Sequence, residues 1–322
     1  MARESDRTAP APIAQLRQRL GRPTRTAFVL SGGGNQSVAQ VGMLRALIER
    51  DIVPDVIVGC SAGAFNGATI AAAPSLRGVE RLEATWSSLR GDEVFPGGRL
   101  SRAWNLLTRD DHLFSNQGLR EIFLRGDTPG TFEQLIVPLR VVAADLDTGE
   151  EVVFASGPLQ PALMASAALP GIYPPIRHDS RTLVDGAVVD TVPIWHALAG
   201  PVDRIFVMNV AGDLLERPLR SPIDVAVRAF AISRKQRYEL ELRSVPESVE
   251  LIELPAPPDD RELDQFDRLP APPDDRELFD FSGGRPLMAA AYDLANQALD
   301  DAEAAKSRRR QLRRHWWRRD AG

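Results

Sequence analysis

Cysteine is nearly missing from this chain of 322 residues: Cys60 is the single one. No intrachain disulfide can form, which suits a reducing compartment. Long apolar runs are missing too. No window approaches the roughly 18 uninterrupted apolar residues of a membrane-spanning helix. The first 25 residues carry several arginines and no apolar core of a secretory signal. The expected location is therefore cytoplasmic, with peripheral membrane contact as its only extension. Histidine is scarce as well, with four in all (His112, His178, His196 and His315). None stands in a recognisable triad context, and no His/Asp/Glu group has the spacing of metal ligands. No cofactor or metal is expected.

What is present is a chain 43% hydrophobic, long enough to bury a core without staples. Thr26-Ala-Phe-Val-Leu30 is an apolar run that stops at Ser31-Gly-Gly-Gly34, which reads as a buried strand entering a tight loop. Val38, Val41, Leu44 and Leu47 then recur at helical spacing, and Ser37 with Gln40 matches a capping box. Asp55–Val58 reads as a second strand and Ala62–Ala73 as a second helix. Helical patterns follow near 77–90 and 116–125, and strands at Leu139–Ala144, Val152–Ala155 and Arg204–Val210. Late helices are expected over Pro222 to Arg243 and Pro286 to Ala305. Strand alternating with helix at this pace predicts an α/β fold with a parallel sheet. The division expected is a flexible arm over 1–24, a folded domain over 25–305 and a basic tail over 306–322. Within the domain, Leu254–Leu263 is repeated without change at Leu269–Leu278. Two Pro- and acid-rich copies are too few for a solenoid, and 254–280 reads as a duplicated surface loop.

Gly59-Cys-Ser-Ala-Gly63 is a G-x-S-x-G between a predicted strand and a predicted helix, the context of a nucleophile elbow. The alternative is that Ser61 only caps the helix. A serine hydroxyl needs a base. Asp185, in Leu183-Val-Asp-Gly-Ala187, follows a short apolar strand, although Asp-Gly is also a common turn. Gly32, Gly33 and Gly34 form a loop whose backbone N–H groups can face an anion, either an oxyanion or a nucleotide phosphate. Ser37 stands where the dinucleotide motif needs its last glycine. The oxyanion reading explains both glycine loops together.

These motifs in this order, with Gly42, Asn66-Gly67, Ala165-Ser-Ala-Ala-Leu-Pro-Gly171 and Pro174-Pro175, resemble the patatin-like phospholipases over about residues 25–210. The resemblance implies a three-layer α/β/α fold with a mainly parallel central sheet. It implies a Ser61–Asp185 dyad without histidine, with Gly32, Gly33 and Gly34 as oxyanion hole and Gly59, Gly63 and Gly186 supporting the turns. It implies hydrolysis of lipid acyl esters. Acyl transfer or thioester cleavage on the same dyad, or lipid binding with weak catalysis, are the other readings. Gln36 and Ser37 depart from the family, which places a basic residue and a glycine there. An arginine at 36 is expected to leave activity equal or higher, and Ser37 to serve as the cap noted above.

The net charge is −5, yet 306–320 holds eight basic residues and one acid, with Trp316 and Trp317 among them. Arginine beside tryptophan suits an anionic membrane, with contact over 306–319. Nucleic acid phosphate is a second and weaker reading of the same charges, and a solvated end a third. The sequence does not specify the oligomeric state.

Overall fold

The computed structural model describes residues 24–89, 93, 112, 114–211, 222–257 and 284–319. The arm expected over 1–24 and the repeated segment over 254–280 fall outside these residues, apart from their junctions with the strands that follow and precede them. The side chains of the tail beyond Arg308 fall outside them too.

Among the described residues, eight strands form one sheet. They are β1 (Thr26–Leu30), β2 (Val56–Cys60), β3 (Leu139–Asp145), β4 (Glu151–Phe154), β5 (Ile176–His178), β6 (Arg181–Asp185), β7 (Arg204–Met208) and β8 (Glu250–Glu253). Hydrogen-bonded neighbours follow β5-β6-β3-β2-β1-β7-β8, with β4 also on β3. Pairs among β3, β2, β1, β7 and β8 are parallel, while β4 and β6 run antiparallel to β3 and β5 antiparallel to β6. The fold is therefore α/β with a mostly parallel central sheet.

β1 shows why the sheet has two covered faces. All five of its residues are buried. Phe28 and Leu30 join one core cluster, whereas Ala27 and Val29 join the other, as a strand's period of two requires. The first face is covered by α1 (Ala39–Glu49), α2 (Ala62–Ala72), α3 (Leu76–Ser88), α5 (Leu159–Ser166) and α8 (Gly284–Arg319). The second is covered by α6 (Ile194–Leu198) and α7 (Pro222–Ser244), through Ile194, Tyr238 and Leu242. α4 (Gln117–Arg125) adds Ile122 and Phe123 at the edge of the first face.

α8 lies along α1. A Cβ at Gly42 would sit 2.0 Å from the Met288 carbonyl, so the helices cross at backbone contact. Arg50 seals the far end against Asn296 and Asp300. The pattern predicted α8 to end near Ala305; its backbone continues to Arg319, so the basic residues of the tail prolong one helix.

Candidate active site

The strand register builds the site. Cys60 pairs with Val142 and Asp185 with Ala143, while β4 occupies the other edge of β3 opposite both Val142 and Ala143. β2 and β6 therefore share one edge of β3, end to end. One is parallel and the other antiparallel to it, so their C-terminal ends meet. Ser61, the next residue after β2, arrives beside Asp185, the last residue of β6. Ser61 Oγ donates to Asp185 Oδ2 at 2.6 Å.

Ser61 has φ 53° and ψ −127°, a left-handed backbone that costs a non-glycine residue about 1–3 kcal/mol. It occupies the N-cap position of α2, but its hydroxyl bonds none of the helix amides. The hydroxyl is turned to Asp185, so the capping alternative does not describe its contacts. The turn is possible because Gly63 lies against the end of β1: a Cβ there would come 2.3 Å from the Ser31 carbonyl oxygen. At Gly186 a Cβ would meet the Val142 carbonyl oxygen at 2.4 Å.

Asp185 is 2% exposed. Burial pushes its carboxyl up to about 6, against hydrogen bonds from Ser61, Ala187 and Cys60 and the charge of Arg234 on α7. Its second oxygen, Oδ1, accepts the Ala187 N–H at 2.8 Å. An ionised carboxylate with one oxygen held by the backbone and the other on a serine hydroxyl can accept that hydroxyl's proton.

The glycine loop follows β1. The Gly32 N–H is taken by the Thr191 carbonyl at 3.0 Å. This narrows the three expected donors, because an amide already bonded within the protein does not face an anion. Among the described residues no acceptor is recorded for the N–H of Gly33 or of Gly34. Behind the loop, Gln40 Nε2 donates to the carbonyls of Ser31 and Met208, and Asn66 Nδ2 to Gln40 Oε1 and the Ser37 carbonyl. Trp86 Nε1 completes the chain onto Asn66 Oδ1. The expected capping box at Ser37 and Gln40 is absent. Ser37 lies in a 3-10 turn (Gly34–Val38) before α1, and α1 starts without a side-chain cap. Gln40 is used to hold the loop instead. Gln36 is 7% exposed, so an arginine there would bury its charge, and the expected equal or higher activity loses its physical basis.

Cys60 is fully buried, and burial first, then Asp185 and Asp190, push its thiol well above the usual range. It packs beside Ser61, with its thiol 3.8 Å from Asp185 Oδ1. Among the described residues no histidine bonds Ser61 or Asp185. His196 instead bonds Glu151 at 2.6 Å on the second face. There Glu151, Asp190 and His196 bring ligand-type atoms within 4.8 Å of one another, a convergence invisible in sequence spacing. The Arg237 guanidinium stands among them, 3.3 Å from Glu151, 3.8 Å from Asp190 and 2.7 Å from the buried Glu241. Burial and the neighbouring carboxylates hold Asp190 well above the usual carboxylate range. This is an arginine-centred ion cluster that ties α7 to the sheet.

A serine on a strand-to-helix turn, a facing carboxylate and a glycine loop thus meet at the ends of strands in one α/β sheet. The sequence model of the Patatin-like phospholipase family matches residues 28–198. The chain belongs to that family. Among curated relatives, an uncharacterized NTE family protein of Mycobacterium tuberculosis is 35% identical over 198 residues, 58% of this chain and 48% of that protein. A patatin-like phospholipase domain-containing protein of Caenorhabditis elegans is 32% identical over 176 residues, 52% and 12% of the two chains. The lysophospholipase NTE1 of Saccharomyces cerevisiae is 27% identical over 192 residues, 57% and 10%. The chain thus spans about half the length, or much less, of the curated relatives it matches. Among solved structures, human GIVD cytosolic phospholipase A2 superposes with a TM-score of 0.47 at 14% identity, covering 92% of this chain and 62% of that one. No helix of the described residues is long and apolar enough to cross a membrane.

Proposed function

We propose that the protein is a serine lipid acyl hydrolase of the phospholipase A or esterase type, working through an acyl-enzyme on Ser61 with Asp185 as base. The observation that carries this reading is the 2.6 Å bond from Ser61 Oγ to Asp185 Oδ2. The match of the family model over 28–198 supports the choice of acyl-ester chemistry.

Asp185 removes the hydroxyl proton as Ser61 Oγ attacks the ester carbonyl. The carbonyl oxygen gains a negative charge and is met by the N–H groups of Gly33 and Gly34. Collapse of the tetrahedral intermediate expels the alcohol, which takes the proton back from Asp185. Water then repeats both steps on the acyl-enzyme, releasing the fatty acid and restoring the serine. A base titrating at about 6 is ionised at neutral pH and still basic enough to work near it.

The test is a fluorophosphonate ester probe with intact-mass analysis, beside a panel of acyl esters, phospholipids and lysophospholipids. Wild type is expected to gain one adduct on Ser61 and to release fatty acid, and Ser61→Ala to do neither. An adduct on another residue, or undiminished hydrolysis by the Ala variant, would overturn the reading.

A further inference from the structure

We infer that Ser166, at the end of α5, is a positioning residue for the dyad: its hydroxyl is the rung that holds the backbone of Ser61 at the junction of β2 and β6. The inference rests on Ser61 being the nucleophile. Where the ends of β2 and β6 meet along β3, the regular ladder is interrupted. The chain leaves the sheet at Ser61, so the Ser61 N–H and the Val142 carbonyl lose the partners a continuous strand would give. Val142 is fully buried and Ser61 partly so, and a backbone group left unpaired away from water is costly.

The Ser166 hydroxyl meets both needs. It accepts the Ser61 N–H at 2.8 Å and donates to the Val142 carbonyl at 2.6 Å. Ser166 is fully buried, and one hydroxyl has one proton to give and lone pairs to receive. The second half of the dyad is tied to the same stretch of chain: the Asp185 N–H bonds the Ala168 carbonyl at 2.9 Å. Three residues, Ser166-Ala-Ala168, thus fix the backbones of nucleophile and base relative to one another. Gly186, packed on the same Val142 carbonyl, leaves no room there for a side chain that could replace the hydroxyl.

A purely structural serine and a positioning serine differ in what its removal changes. Without the rung the elbow is free to turn, and the Ser61–Asp185 contact lengthens. The bond from Ser61 is one of the contacts that hold the Asp185 carboxyl down, together with Ala187, Cys60 and the charge of Arg234. The acid limb of the pH profile should then move upward.

Ser166→Ala is expected to lower both kcat and the rate of fluorophosphonate labelling by about 10- to 100-fold with little change in KM, and to raise the midpoint of the acid limb. Leu159→Ala, which opens a cavity in the buried start of the same helix, is expected to lower the melting temperature but keep the wild-type labelling rate and midpoint. Ser166→Cys, close in size with two weaker bonds, should fall between and is read in the same way if the Ala variant does not fold. Wild-type rate and midpoint in whichever variant folds would overturn the inference. An unlabelled wild type would instead overturn the assignment of the nucleophile.

Discussion

Replacing Asp185 by asparagine should make the protein more stable and nearly inactive at once. The carboxyl is buried and titrates at about 6 in place of 3.8. A shift of about two units corresponds to about 3 kcal/mol between the two protonation states. The sign follows from the direction: a carboxyl raised in the folded state binds its proton more readily there than in the unfolded chain. The folded protein therefore carries no cost below pH 3.8, a growing cost between 3.8 and about 6, and the full cost above that. Asparagine removes the charge while its amide can still accept the Ala187 N–H and face Ser61 Oγ. At roughly 2 °C per kcal/mol for a domain of this size, the Asn variant should melt about 6 °C above wild type at pH 8 and close to level with it at pH 4. Ester hydrolysis should fall by about 10²–10⁴-fold with the loss of the base. Thermal unfolding at both pH values, with hydrolysis of a soluble ester at pH 8, makes the comparison. An equal difference in melting temperature at pH 8 and pH 4, or full turnover in the variant, would refute the reasoning.

Other outcomes follow from single contacts. Gly63→Ala should leave little folded protein in a solubility and circular dichroism assay, because its methyl group would meet the backbone of Ser31 at 2.3 Å. Gln36→Arg should lower the melting temperature without raising kcat, since the side chain is buried; a higher kcat would restore the idea of a missing cation. Arg237→Met should cost about 3–5 kcal/mol in denaturant unfolding, because it strips the cation from Glu151 and the buried Glu241; unchanged stability would make the cluster dispensable. Deleting 309–322 keeps the Lys306–Glu250 ion pair and should weaken binding to anionic vesicles while sparing a soluble short-chain ester; unchanged vesicle binding would make the tail a solvated end.

The elbow was legible because its signals are local: an apolar run, two glycines around a serine, and an alanine-rich helix. Asp185 could be named as a candidate, but its meeting with Ser61 depends on β2 and β6 sharing an edge of β3, and non-local register leaves no mark in spacing. Gln40 was misread as half of a capping box for the same reason, since its partners are carbonyls delivered by β1 and β7. β8 went unseen because three half-buried residues and an exposed one give no clear alternation. Ser166 stood inside a recognised motif, yet nothing in a row of small residues says that its hydroxyl faces the nucleophile's backbone.

Ser61 and Asp185 lie 124 residues apart in the chain, and the glycine loop waits for a still later segment. The Met208 carbonyl takes the Ser31 N–H and the Gln40 amide, and the Val210 N–H bonds Ser31 Oγ. Ser61 and Asp185 both precede β7 in the chain, whereas Ser31 and Gln40 gain these partners only once β7 lies beside β1. On the proposed mechanism, fluorophosphonate labelling during refolding is expected to follow the docking of β7. A chain ending before residue 208 lacks the groups that hold Ser31 and Gln40, so it is expected to label with the probe more slowly than the full chain.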